Sequence, residues 1–173
     1  MPDIDKNDLW DITFTIQETA KSYNIDPELL KAMAYIESRF DTNAVNKSAD
    51  TKGLFQLKPF VAEEMGIKGM EHVPSLSIDA TAKLIVKNQK ALEERGIPAT
   101  NPNLYLTHQQ GIRGFTELYN SAKKNITPRT VKQRISNNAG KGLTALDFLR
   151  KWTQKYHESA LEADQFLSEE LQQ

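Results

Sequence analysis

The sequence predicts a mainly α protein folded as a single domain over residues 1–173. Three observations point there. Apolar residues recur at helical spacing in several segments. No segment keeps the period-two alternation of a half-buried strand, so little sheet is expected. A chain of 173 residues builds one domain with a substantial core and is short for two. With 39% hydrophobic and 26% charged residues, the composition is that of an ordinary globular chain rather than a disordered one.

The elements follow in order. Residues 5–22 carry Leu9, Ile12, Phe14 and Ile16 among polar residues, a pattern nearer to helix than to strand. Tyr23-Asn24 breaks it. Asp26-Pro27-Glu28 is a helix start, with Asp as N-cap, Pro in the first turn and an acid behind it. That helix should reach about Phe40, with Leu29, Met33, Ile36 and Phe40 as its buried stripe. The polar run DTNAVNKSADTKG reads as a loop. Lys58-Pro59 opens a short helix ending near Gly66, and residues 67–76 look irregular. Ser77–Arg95 is a strong helical run, with Ile78, Ala82, Ile85, Gln89 and Leu92 along one side and Gly96-Ile97-Pro98 as the stop. NPNLYLTHQQG begins as a turn and becomes helical. Gly111 and Gly114 should bracket another turn before a short helix over 115–123. Thr127-Pro128 starts a segment reaching about Ile135, SNNAGKG is a loop, and Thr144 to about Tyr156 is a helix with Ala145, Leu146, Leu149 and Trp152 on one face. Residues 158–173 are a helical or flexible tail.

Composition excludes several kinds of chemistry. There is no cysteine, hence no disulfide, thiolate nucleophile or cysteine metal site. His72, His108 and His157 are widely spaced and show no zinc-ligand pattern, so no metal and no organic cofactor is expected. A net charge of -1 offers no global basic field for nucleic acid. No segment approaches the roughly 18 apolar residues of a membrane span. The N-terminus, MPDIDKNDLWDITF, has acids where a signal peptide is basic.

Two short segments carry the candidate chemistry. Glu37, in AYIESRFD, flanks the expected buried stripe of its helix. A carboxyl group half-submerged among apolar side chains is held toward its neutral form, which suits protonation of a glycosidic oxygen. Most lone helical Glu residues are solvated or ion-paired, and by itself Glu37 reads that way. Gly53-Leu54-Phe55-Gln56 follows a polar loop. Its glycine permits a tight turn, and the Gln56 amide can meet sugar hydroxyls and N-acetyl groups. Alone, it also reads as a loop end with a core Leu-Phe pair.

Together, YNIDPELLKAMAYIESRFDTNAVNKSADTKGLFQL resembles the lytic transglycosylases related to the soluble bacterial enzymes and to goose-type lysozymes. The later LYLTHQQG, and SNNAGKGLTALDFLRKWTQKY with its Asn- and Gly-rich loop before a Trp-bearing helix, are similar to the bacteriophage branch. The resemblance spans about residues 20–157 and implies a lysozyme-like domain with a substrate cleft. It further implies Glu37 as the single catalytic acid and base, Gln56 lining the sugar cleft, and Tyr105 beside Glu37 or the sugar. Ser48 would support the muramyl site, and Asn137 and Asn138 would contact N-acetyl groups or the peptide stem. His108-Gln109-Gln110 stands where many cellular relatives have Tyr-Asn-Ala, so His108 and Gln109 are candidate substrate contacts and Tyr105 the candidate replacement. Each has a plainer alternative: core packing for Tyr105, an ordinary histidine for His108, a turn cap for Ser48, loop residues for the two asparagines.

The resemblance implies cleavage of the bond between N-acetylmuramic acid and N-acetylglucosamine with ring closure to a 1,6-anhydromuramyl product. Hydrolysis remains an alternative, with Asp41 or Asp50 positioning a water. So do a non-catalytic peptidoglycan-binding virion component and a helical interaction module. The expected partner is the glycan strand. A phage protein of this kind would be a monomer that either rides in the virion with structural proteins or waits in the host cytoplasm and reaches the periplasm with the help of a holin.

Overall fold

Asp5 opens the first helix, α1 (Lys6–Tyr23), its side chain accepting from the Asn7 backbone N–H at 2.7 Å. This side-chain bond satisfies one of the donors that a helix start leaves orphaned. These contacts come from a computed structural model that describes residues 4–138 and 140–172. Leu9, Ile12, Ile16 and Ala20 form the buried stripe of α1. Phe14 does not belong to it. Two residues from either Ile12 or Ile16 on a 3.6-residue period, it faces out and is 67% exposed. Asn24 ends the helix in the left-handed region at φ 52° and returns its N–H to Ala20 O.

The second helix, α2 (Pro27–Ser38), starts as the sequence suggests, with the Asp26 carboxylate accepting from Glu28 N. Its burial is wider than a stripe: Leu29, Leu30, Ala32, Met33, Ala34 and Tyr35 are all buried, whereas Ile36 is only half-buried. It stops two residues before Phe40, because Arg39 and Phe40 both turn left-handed, at φ 55° and 64°. α1 packs on α2. The expected loop after it contains a two-residue antiparallel pair, β1 (Val45–Asn46) with β2 (Thr51–Lys52), in the register Val45 opposite Lys52 and Asn46 opposite Thr51. Short helix α3 (Pro59–Glu64) follows.

The fourth helix, α4 (Pro74–Glu93), begins three residues earlier than expected, inside the stretch read as irregular, with Pro in its first turn. The fifth, α5 (Asn101–Lys123), is interrupted as expected at Gly111 (φ 72°, ψ 157°), a conformation open essentially to glycine alone, but the interruption is a kink at that one residue rather than a turn from Gly111 to Gly114. Gly114 is helical and buried instead. A β-carbon there would lie 2.8 Å from the Arg134 guanidinium carbon, the movable end of a side chain on α6.

The sixth helix, α6 (Arg129–Asn137), overruns its expected end and takes in the first two residues of SNNAGKG; Ala139 of that loop lies outside the described residues. The seventh, α7 (Ala145–Gln172), continues through the tail as one helix of 28 residues. Its buried face holds Ala145, Phe148, Trp152 and Tyr156, while Leu146 and Leu149 are half-buried. Phe148, not Leu149, is the core residue of its first turns.

The chain divides into two compact units. One takes the chain up to Lys87 together with the stretch from Ser159 onward; the other is Asn88–Glu158. The boundaries fall within α4 and within α7. No described helix is long and apolar enough to cross a membrane.

Candidate active site

In the first unit the candidate acid, Glu37, is the penultimate residue of α2 and is half-buried. The chain around it is held from both directions. The next residue, Ser38, places its hydroxyl 2.8 Å from Leu54 O and 3.0 Å from Ala34 O. Its single hydrogen is shared between its own helix and the GLFQ segment. Glu-Ser and Gly-Leu-Phe-Gln, read separately in the sequence, are thus one hydrogen-bonded assembly. Beyond Ser38, Phe40 turns inward, is completely buried, and stacks on Phe166 of α7 with ring centroids 5.9 Å apart and planes 13° apart. A bulky residue at positive φ is uncommon and persists where surrounding packing holds it.

The end of α7 also grips α2 along its length. Phe166 lies 5.8 Å from the Tyr35 ring as well. Lys31 bridges Glu28 and Asp164 at 2.6 Å each. Arg39 reaches Glu162 at 3.6 Å while its guanidinium sits 3.9 Å from the centroid of the Tyr35 ring. Burial lowers the Lys31 pKa and the hydrogen bonds from Asp164 and Glu28 raise it; the bonds win, and the pKa lies above its ordinary value. These contacts were invisible in the sequence because 162–166 and 28–40 are far apart in the chain. The one available signal was helical spacing of Ala163 and Leu167, both now buried, within a tail that otherwise reads as charged.

The loop after α2 is closed by its own side chains. Gly53, at φ 77°, sits so close to the backbone of Glu71 that a β-carbon would fall 2.8 Å from its carbonyl carbon and closer still to the oxygen. Gln56, at φ 47°, donates both amide hydrogens inside the loop, to Ala44 O at 3.1 Å and Gly53 O at 3.0 Å, and accepts from Thr51 Oγ1 at 2.8 Å. Its amide therefore clamps the loop, and one lone pair of its oxygen is left for any sugar. Ser48 lies at the exposed tip between β1 and β2 and donates to the Asn46 side chain at 2.7 Å.

Both aspartates of the loop sit in turns. Asp41 accepts from Asn43 N at 2.8 Å, the turn-forming use of an Asp side chain. Asp50 is exposed, at φ 50° in the hairpin turn.

The second unit holds the other candidates. Tyr105, His108 and Gln109 share one face of α5, at positions i, i+3 and i+4. Tyr105 is 2% exposed, and its ring packs against Tyr156 at 5.9 Å and Trp152 at 6.4 Å. His108 and Gln109 are half-buried, and Gln109 accepts from Gln110 Nε2 at 2.9 Å. They stand immediately before the Gly111 break. Asn137 and Asn138 close α6: Asn137 accepts from Gln133 Nε2 at 3.0 Å, and Asn138 donates to Arg134 O at 2.8 Å. Among the described residues, no group of three or more His, Asp or Glu side chains is placed to hold a metal ion.

Comparison with known proteins adds an independent line. Residues 14–108 match the family described as the Transglycosylase SLT domain, a stretch that contains Glu37, Ser38, the GLFQ segment and His108. The chain is also similar to the membrane-bound lytic murein transglycosylase E of Buchnera aphidicola subsp. Baizongia pistaciae (strain Bp). The two are 30% identical over 158 residues, covering 80% of this chain and 73% of that protein.

Proposed function

The chain belongs to the transglycosylase SLT family, and on that premise we propose that it is a peptidoglycan lytic transglycosylase with Glu37 as its single acid and base. The observation that carries the assignment is local. Glu37 is the half-buried acidic residue on the turn of α2 that Ser38 ties to Leu54, inside the matched stretch.

The reaction proceeds in two proton transfers. Glu37, as the carboxylic acid, gives its proton to the oxygen joining C1 of N-acetylmuramic acid to C4 of N-acetylglucosamine. The C1–O bond breaks, the N-acetylglucosamine leaves with that proton, and positive charge develops at C1. Glu37, now a carboxylate, takes the proton of the muramyl C6 hydroxyl. Its oxygen bonds to C1 and closes the 1,6-anhydro ring, which regenerates the acid without water. The attacking hydroxyl belongs to the same sugar, so its approach carries little entropic cost. A hydrolase of the same shape needs a second group to direct water. Asp41, engaged in its own turn, and Asp50, exposed at the hairpin, favour the transglycosylase reading.

Within this function Tyr105, His108 and Gln109 on α5, Gln56 and Ser48 in the loop, and Asn137 and Asn138 at the end of α6 are the substrate contacts we infer. The phage-like segments LYLTHQQG and SNNAGKGLTALDFLRKW support an origin as an endolysin or virion-borne lysin.

Digestion of purified Gram-negative peptidoglycan, followed by mass spectrometry of released muropeptides, tests the assignment. Anhydromuramyl ends that vanish with Glu37→Gln are the expected result. Reducing muramic ends would make the enzyme a hydrolase, and full activity of Glu37→Gln would remove Glu37 from the mechanism.

A further inference from the structure

The net charge of -1 conceals a division. Unit Asn88–Glu158 contains twelve Lys and Arg against five Asp and Glu, a balance of +7, and the rest of the chain balances at -8. The positive charge is concentrated further. From Lys123 to Lys155 there are nine basic residues and one acid, Asp147.

The fold puts this charge on the surface. Lys123 and Lys124 end α5 in solvent. On α6, Val131 and Ile135 are buried, while Arg129 and Lys132 are exposed. Lys141 is exposed in the loop that follows, and on the outer face of α7 stand Arg150, Lys151 and Lys155. The start of α7 is tied to the approach of α6 by Ala145 N donating to Thr127 Oγ1 at 3.1 Å. Gly140 fits between Ile135 of α6 and Phe148 of α7. The end of α6 and the start of α7 therefore lie close together, and each helix has exposed cations.

Acids lie against some of these cations. Glu117 bridges Arg134 at 3.7 Å, Asp147 reaches Arg150 at 3.9 Å, and Glu158 accepts from Gln154. Lys155 lies over the Trp152 ring, its Nζ 4.4 Å from the centroid.

We propose that this basic surface of α6 and the first half of α7 binds the carboxylate-bearing peptide stems of uncut peptidoglycan, as a holding site for the polymer. The inference rests on peptidoglycan being the substrate. Among the described residues of 123–155 the sole exposed large apolar side chain is Ile126. The surface thus lacks the aromatic platforms on which unpaired bases stack and the apolar face with which an interfacial helix enters a membrane. What remains is a hydrated array of point charges, suited to a hydrated, repeating anion. One exposed Lys–carboxylate contact is weak, but a strand offering many carboxylates engages several together, and their effects multiply.

The test uses the full chain carrying Glu37→Gln, which cannot consume its ligand under the proposed mechanism, mixed with purified peptidoglycan sacculi and sedimented. Retention is read in the pellet and cleavage, from soluble muropeptides, in the supernatant. We expect retention that falls as salt rises from about 0.1 to about 1 M, where the Debye length shrinks from about 10 to about 3 Å. Adding Arg129→Gln, Lys132→Gln and Lys141→Gln should weaken retention about tenfold. Sacculi whose carboxyls have been converted to neutral amides should hold the protein no better than the triple variant is held by native ones. Retention indifferent to salt, to the triple substitution or to amidation overturns the proposal, as does binding to anionic-lipid vesicles in preference to sacculi. Muropeptide release by the Glu37→Gln protein instead overturns the catalytic assignment and leaves the retention result standing by itself.

Discussion

Replacing Gly53 with Ala isolates what holds the loop behind the proposed acid. Two costs follow from the structure. The residue sits at φ 77°, where a β-carbon costs about 1 kcal/mol. The β-carbon would also fall against the backbone of Glu71, which is 5% exposed and cannot swing aside as a flexible side-chain end would. Overpacking of that kind adds about 2 kcal/mol. Gly66 supplies the control. At φ 76° it pays the same conformational cost, yet nothing lies within 4 Å of its added β-carbon. Gly66→Ala should therefore lose about 1 kcal/mol and Gly53→Ala about 3 kcal/mol. At about 3 °C per kcal/mol for a chain of this size, the melting temperatures should fall by about 3 and about 9 °C. Thermal unfolding followed by far-ultraviolet circular dichroism measures both. Gly53→Ala should in addition lose muropeptide release while still folded, because Gly53 O accepts from Gln56 and the neighbouring Leu54 O from Ser38. Equal drops for the two variants would refute the contact argument and reduce Gly53 to an ordinary turn glycine.

Three further substitutions probe the same unit. Ser38→Ala removes the bond from α2 to Leu54 O; it should cost about 1 kcal/mol by urea unfolding and lower the rate of muropeptide release more than it raises KM. Phe166→Ala withdraws the half-buried ring shared by Tyr35 and Phe40; a loss of about 2 kcal/mol is expected, and unchanged stability would mean the end of α7 does not brace α2. Asp79 accepts from Tyr23 Oη at 2.7 Å and pairs with Lys83 at 2.8 Å. Burial raises its pKa, and the bonds from Lys83 and Tyr23 outweigh that to leave it below the ordinary 3.8. A depressed carboxylate stabilises the fold above its unfolded value and loses that contribution as pH falls through the folded one. Wild type should therefore lose part of its advantage over Asp79→Asn below about pH 4, and a gap constant from pH 7 to pH 2 would contradict the pairing.

Local signals were enough for most of the helices and for the family. Asp26-Pro27-Glu28 starts α2 through interactions within one turn, and the Leu29, Met33 pattern declares its buried side in any context. The Glu-Ser and GLFQ pairing belongs to the matched stretch and is legible as a motif. Where the reading failed, a long-range contact outweighed the local preference. Gly111 interrupts α5 as its propensity suggests, yet Gly114, read as the other end of the same turn, is helical and buried in an element that contacts α6. Phe14 fits the composition of a core stripe and misses its phase.

The sequence by itself determined the mainly helical class, the helix starts, the family and the identity of the candidate acid, because each is encoded within about one or two turns of chain. Tertiary structure alone decided that Ser38 joins that acid's helix to the GLFQ loop, that the Gln56 amide is spent on closing the loop, and that Phe166 and Asp164 brace α2 from the far end of the chain. It also set the unit boundary that leaves a net positive balance in Asn88–Glu158 of a nearly neutral chain. The physical reason is common to all four. A hydrogen bond, a ring stack or a shared field depends on distance in space, and a sequence records only distance along the chain.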